Sequence, residues 1–382
     1  MVCVASFLVL LVLWVPVAII SKTKAGADTW IGALADKLRP LFKKAWYCVK
    51  RRTTFRKCDT TFGEDVKNTV LAPLAIRAPR WVKPVSGIIS VVAWVMVIST
   101  VVSLYVLLRS GLNLAVYGTC NKRNAEACTL AAASCSIGVE VPSFSQSLFA
   151  GHPVEAFRNE FSGIADTIQT IPSRFTNWQP DRYLPPFASF KGGYDPAKET
   201  ILEVIDPGCA ICAQMYRNIS EAGLDQATNM SYLVYPIMTL NTVTGQMEPK
   251  FPHSVTIANL LTAIRIHEGA NGPVSDPTDW KLLREIFTGY RPGGVVSNQG
   301  WLNGLASDAA AEQQLKDWLA EFGYSDSEIA EVFELANSSQ VADIVAAGRV
   351  TVREEIRTVT IPTLLVPGRM HRGLVEVDAL RP

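Results

Sequence analysis

One stretch of the sequence, residues 201–219 (ILEVIDPGCAICAQMYRNI), constrains the fold more than any other. It reads as a short apolar strand, a turn at 206–208, and an apolar helix that begins with Cys209 and Cys212. Unpaired backbone N–H groups at a helix N-terminus favour a thiolate on the first cysteine. Cysteines three positions apart can also close a disulfide within one helical turn. The stretch therefore predicts a strand–turn–helix unit that carries a reactive dithiol.

Two further features fit a dithiol site. Glu203 lies six residues before Cys209, inside the apolar strand, where burial would raise the pKa of its carboxyl group. Near the C-terminus, residues 359–366 read as a strand and residues 373–377 as a second strand after a Pro-Gly turn. Pro362 stands at the start of the first of these strands, where a ladder N–H is not needed.

With these residues, the chain resembles the thioredoxin superfamily, and within it the bacterial extracytoplasmic oxidoreductases of the DsbA, DsbC and DsbG type. The resemblance covers residues 185–382. It implies an α/β thioredoxin-like domain in which Cys209 is the attacking sulfur and Cys212 resolves the mixed disulfide. It also implies that Glu203 is a buried acid that moves the proton of Cys212.

The same resemblance assigns the C-terminal residues of the site. Pro362 would be a cis-proline that faces the dithiol and acts with it in catalysis. Ile361 and Thr363 would bind the substrate. A helical insertion at about 252–357 would separate the first half of the domain from this proline strand, and Ser325 and Glu328 form a predicted capping box within it.

Two uncharged apolar stretches precede the domain. Residues 3–20 have no basic segment before them, which favours a retained transmembrane helix (1–21) over a cleaved signal peptide. Residues 85–108 are long enough to cross a hydrocarbon core of ~30 Å. The predicted architecture is therefore a thioredoxin-like domain with a helical insertion, preceded by two transmembrane helices.

The charge distribution predicts how these helices are oriented. The loop at 22–84 holds 15 Lys and Arg against 5 Asp and Glu, whereas residues 110–382 hold 20 against 30. Basic loops stay in the cytoplasm. We therefore expect a two-pass protein of the bacterial cytoplasmic (inner) membrane, with the C-terminal domain extracytoplasmic.

Residues 30–46 of the loop combine helical apolar spacing with lysines. This pattern favours an amphipathic helix on anionic lipid of the cytoplasmic leaflet, the alternative being a small helical cap packed on itself. Contact with lipid headgroups would account for the basic residues of the loop, so we do not expect nucleic acid as a partner.

The connector at 109–184 holds Cys120, Cys128 and Cys135. Outside the cytoplasm cysteines tend to pair. Either Cys120 and Cys128 close a short loop and leave Cys135 free, or Cys128 pairs with Cys135. No histidine lies within ligand spacing, so we expect no metal, and nothing in the chain calls for a cofactor. The Pro-rich and aromatic composition of the connector predicts an ordered or semi-rigid arm that packs on another part of the protein and holds the domain away from the bilayer.

The leading hypothesis is a membrane-anchored thiol-disulfide oxidoreductase. Its partners would be cysteine-containing envelope or secreted proteins and a membrane redox partner. No histidine lies between Cys209 and Cys212, which predicts a weaker oxidant than family members that have one, and the direction of exchange stays open. The alternative is a non-catalytic thioredoxin-like scaffold of an envelope or secretion complex, in which Cys209–Cys212 is a structural disulfide.

Overall fold

The computed structural model describes residue 76 and residues 79–122, 124–131, 133–137, 142–241, 244–269 and 274–381. The predicted first transmembrane helix at 1–21 lies outside these residues, and so does the basic loop at 22–84 except for its last few positions. The chain divides into two compact units, Met1–Leu108 and Arg109–Pro382.

Helix α1, Val82–Tyr117, contains the predicted second span at 85–108 and continues beyond it. Within the described part of the chain, Ile98–Tyr117 is the one helical stretch whose length and composition would let it cross a membrane. The helix ends at Gly118, which adopts the left-handed conformation (φ 76°) that glycine takes without steric cost.

The connector is ordered and packs into the second unit, which agrees with the predicted arm that packs on another part of the protein. Its role in holding the domain away from the bilayer stays a prediction. The connector contributes β1 (Cys135–Ser136), α2 (Phe144–Phe149) and α3 (Pro153–Thr170). Trp178, from its last part, is buried in the same apolar core as the central sheet. Burial of this large aromatic side chain stabilises the packing of the connector against the core.

A β-α-β unit forms the centre of the domain. Strand β2 (Thr200–Ile205) leads into α4 (Ala210–Ala222) and the short α5 (Leu224–Ala227), and β3 (Asn229–Val234) returns parallel to β2. Every residue of β2 and β3 is buried. This agrees with their nearly continuous apolar sequence, because a parallel sheet is covered on both faces.

Strands β4 (Met238–Leu240) and β5 (Met247–Pro249) form a small hairpin before the helical insertion. The Ser325–Glu328 capping box is present as predicted. The helices of the insertion are α6 (Ser254–Gly269), α7 (Thr278–Thr288), α8 (Asn298–Asn303), α9 (Asp308–Glu321), α10 (Asp326–Ala336) and α11 (Ser339–Val350), followed by a π-helical turn at Thr351–Ile356.

In the C-terminal part, β6 (Thr360–Ile361) pairs with β1 in a separate two-stranded sheet. Strands β7 (Thr363–Val366) and β8 (Arg369–Arg372) complete the main sheet, and the short helix α12 (Val377–Leu380) follows. The predicted strand at 373–377 is wrong, because the hairpin turns earlier and β8 ends before Gly373, which has a φ of 79°. The main sheet has the order β3-β2-β7-β8, with β7 antiparallel to both neighbours. A parallel β-α-β half followed by an antiparallel hairpin is the predicted thioredoxin-like arrangement.

Candidate active site

Cys209 stands where the turn after β2 meets α4, as the N-cap residue of that helix. Asp206 shapes this turn, because its carboxyl group accepts hydrogen bonds from Gly208 N (2.8 Å), Ser254 Oγ (2.6 Å) and Ile237 N (2.7 Å). Burial raises the pKa of Asp206 to about 6 against the effect of these bonds. Three donors on one buried carboxyl group fix the position of the turn.

The helical insertion holds the turn from the other side. Gln299 Nε2 donates to Pro207 O (2.7 Å) and Cys209 O (3.1 Å), and Asn303 Nδ2 donates to Gly208 O (2.9 Å). Neither residue is predicted from the sequence. The only signal was the polar character of a short segment inside the insertion, which does not reveal a partner about 90 positions away.

Cys212 lies in the first turn of α4 as a fully buried free thiol. Asp206 N donates to its Sγ at 3.5 Å. Burial raises the pKa of Cys212 well above that of an ordinary thiol, and the nearby Glu203 carboxyl group adds to this rise. In this arrangement Cys212 is a protonated, protected thiol.

Glu203 occupies the middle of β2, opposite Tyr232 of β3 and Leu364 of β7. Its side chain is buried, and Oε1 has no hydrogen-bond partner among the described residues. Burial raises the pKa of Glu203 to about 8, and the charge of Lys191 opposes that rise. The predicted buried acid is therefore present.

The Ile361–Pro362 peptide bond is cis. Thr363, predicted to bind substrate, is paired on both sides, with Val204 of β2 and Arg372 of β8. Its backbone lies inside the sheet and offers no free edge, so the structure does not support a substrate contact by Thr363. Ile361 lies in β6, outside the four-stranded sheet, and pairs there with Cys135 of β1.

The disulfides agree with the prediction for one pair and differ from it for Cys135 and Cys209. Cys120 is bonded to Cys128, which is one of the two alternatives, and the Cys128–Cys135 alternative is wrong. Cys135 is bonded to Cys209, so Cys135 is not free and the predicted Cys209–Cys212 disulfide is not formed. The physical reason is tertiary: β1 pairs antiparallel with β6 and brings the Cα of Cys135 to 6.9 Å from that of Cys209.

Neither a protein-family model nor a curated protein sequence matches the chain. Among solved structures, it is similar to the thiol-disulfide exchange protein alpha-DsbA2 from Wolbachia pipientis, with 13% identity and a TM-score of 0.35 over 57% of this chain and 91% of that one. It is similar to a thioredoxin-like oxidoreductase from Silicibacter pomeroyi, with 16% identity and a TM-score of 0.33 over 55% and 92%.

A third similar structure is ScsC from Proteus mirabilis, with 10% identity and a TM-score of 0.29 over 62% of this chain and 91% of that one. Values this low leave the geometry of the site itself as the basis for assigning a function.

Proposed function

We propose that the protein is a thiol-disulfide oxidoreductase in which Cys209 exchanges disulfides with cysteine-containing envelope or secreted proteins. The observation that carries the proposal is the position of Cys209: it caps α4 and is bonded to a cysteine on a strand that pairs with Ile361. A substrate cysteine on an extended chain would need the same position, with backbone hydrogen bonds to a sheet edge.

The other residues take roles that follow from their surroundings. Cys212 is the resolving thiol, because it lies one helical turn from Cys209 and is shielded from solvent. Glu203 accepts the proton of Cys212 and returns it, because a carboxyl group with a pKa of about 8 changes charge within the working pH range. Pro362 orients Ile361 next to the redox turn.

We also propose that the protein is anchored in the bacterial inner membrane by two helices, with the second unit outside the cytoplasm. The apolar stretch Ile98–Tyr117 and the opposite charges of the segments before and after α1 support this orientation. Two disulfides in the second unit fit an oxidising compartment. Anionic lipid of the inner leaflet is the proposed contact of the basic loop, and a membrane redox partner would recharge the dithiol.

The test uses the reduced full chain in detergent micelles and a fluorescent peptide whose cysteine is bonded to glutathione. The wild-type chain should release glutathione from the peptide, and Cys209→Ser should abolish this. A variant with both Cys120→Ser and Cys128→Ser should retain the reaction, because that disulfide lies outside the site. An inactive wild-type chain with unreactive thiols would favour the scaffold hypothesis, with Cys135–Cys209 as its structural disulfide.

A further inference from the structure

The connector places its own cysteine in the position that a substrate would need. In the antiparallel pair of β1 and β6, Cys135 lies opposite Ile361 and Ser136 lies opposite Thr360. The pairing continues at both ends of the segment 133–137, which we call the plug segment.

At one end of the plug segment, Ile137 N donates to Val359 O at 3.0 Å. At the other end, Leu374 N donates to Ala133 O at 2.7 Å. The plug segment therefore lies as an added strand along β6 and the chain that follows β8. Backbone pairing of this kind is independent of sequence, so an extended peptide could replace it.

The plug segment closes the site. Cys209 and Ile361 are both completely buried, and Cys135 is 6% exposed. No substrate can reach the Cys209 sulfur while the segment is in place.

The plug segment is held by non-covalent contacts as well as by the disulfide, because residues 134–137 are buried and Cys135 and Ile137 belong to the apolar core. Its strand is two residues long, and the nearby ion pair of Glu126 and Lys250 is partly exposed to solvent, where such pairs contribute little. Glu126 also accepts a long hydrogen bond (3.4 Å) from Ser136 N. The Cys135–Cys209 disulfide joins the plug segment covalently to the redox turn, so its cleavage would weaken the attachment of the segment.

We propose that Cys135 is a third redox-active cysteine, the internal exchange partner of Cys209, and that the plug segment closes the site until this disulfide is resolved. The inference rests on the proposed function, since it requires exchange at Cys209.

The opening reaction is an internal disulfide exchange. The Cys212 thiolate attacks the Cys209 sulfur, the Cys209–Cys212 bond forms, and the Cys135–Cys209 bond breaks. Cys135 leaves as a thiolate and gains one proton, and Cys212 has lost one, so neither an oxidant nor a reductant is consumed. In the reverse direction, the Cys135 thiolate attacks Cys209 and expels whatever is bonded there.

This reverse step gives the test. In a Cys212→Ser chain, a labelled peptide Ala-Ser-Cys-Ser-Ile, supplied as its glutathione disulfide, would bond to Cys209 and then be expelled by Cys135. In the Cys135→Ser/Cys212→Ser chain it would stay. Because an internal thiol acts at an effective concentration of about millimolar, we expect roughly ten-fold or more labelled full-length protein in the double variant on non-reducing gels.

A matched pair of glycines tests the plug without changing Cys135. Gly373 and Gly368 both have positive φ (79° and 85°), so alanine is strained at either position. A Cβ on Gly373 would lie 2.5 Å from Ala131 Cβ and 2.9 Å from Ala133 O, whereas on Gly368 its nearest neighbour is 3.6 Å away. In the Cys212→Ser chain, Gly373→Ala should therefore raise the peptide adduct and Gly368→Ala should not.

The outcomes separate the two proposals. Equal adduct in Cys212→Ser and Cys135→Ser/Cys212→Ser would overturn the role of Cys135 and leave exchange at Cys209 standing. An absence of adduct in both chains would overturn the proposed function itself. If Gly373→Ala does not fold, the cysteine pair alone still decides.

Discussion

Cys135 lies directly opposite Ile361, the residue before the cis-proline, while its sulfur is bonded to Cys209. This relationship depends on register. Side chains alternate between the two faces of a strand, so a shift by one residue would place Ser134 or Ser136 toward Cys209 and turn the cysteine away. The pairing of β1 with β6 is therefore what makes the disulfide geometrically possible.

Replacing Glu203 should change the pH dependence of stability. The folded-state pKa of about 8, against an ordinary 4.5, means that unfolding releases a proton between these pH values, so the native chain loses stability as pH rises through this window. Glu203→Gln removes this loss. The difference between the unfolding free energy of the Glu203→Gln variant and that of the wild type should increase in favour of the variant by ~3 kcal/mol between pH 4.5 and pH 7.

Thermal unfolding of the full chain in detergent, followed by tryptophan fluorescence across this pH range, measures the effect. Glu199→Gln, at an exposed position just before β2, is the matched control and should show no such trend. If the two variants behave alike, Glu203 does not carry the proton. Glu203→Gln should also slow the Cys212-dependent release of peptide adducts.

Cys212 should be protected in the closed form of the site. Its thiol is fully buried and its pKa is raised by burial and by Glu203, so the reactive thiolate is scarce. N-ethylmaleimide at pH 7.5 should modify Cys212 at least about ten-fold more slowly in the native chain than in urea. Fragmentation of the peptide 199–217 by mass spectrometry distinguishes modification of Cys212 from modification of Cys209, which lies on the same peptide. Fast labelling of the native chain would contradict the closed geometry.

Gln299→Ala should loosen the redox turn. The substitution leaves the buried carbonyl oxygens of Pro207 and Cys209 without this donor, and the expected loss of stability is ~1–3 kcal/mol. Gln313→Ala is the control, because Gln313 is exposed and its side chain donates to the nearby Asp317 within α9. Thermal midpoints of the two variants, measured side by side, test the contact. Equal midpoints would show that the insertion does not support the turn.

The proposed orientation in the membrane can be tested by labelling intact cells with an impermeant thiol reagent. A cysteine introduced at the exposed Ser327 should react, and one introduced at Thr60 in the basic loop should react only after the cells are opened. The parent chain, with its own cysteines, gives the background. Labelling of Thr60→Cys from outside would refute the two-span orientation.

Local patterns in the sequence determined the parts of the site that depend on near neighbours. Strand β2 and the start of α4 follow from the apolar run, the turn and the helix face within about twenty residues. Burial of Glu203 follows from its place inside that run, because a charged residue in a central strand cannot reach water. The strand that contains Pro362 was also accessible, since a strand before a Pro-Gly turn is a local pattern, whereas the assignment of Pro362 as the cis-proline came from the family resemblance.

Only the tertiary structure decided the bonding of Cys209. Cys135 precedes it by 74 positions, and nothing in the spacing of the cysteines indicates that the two would meet. Their proximity comes from backbone pairing between β1 and β6, which is non-local and nearly independent of side-chain type. The contacts of Gln299 and Asn303 were hidden for the same reason: a helix reveals its apolar face in its sequence, but the partner of its polar face depends on how the whole chain packs.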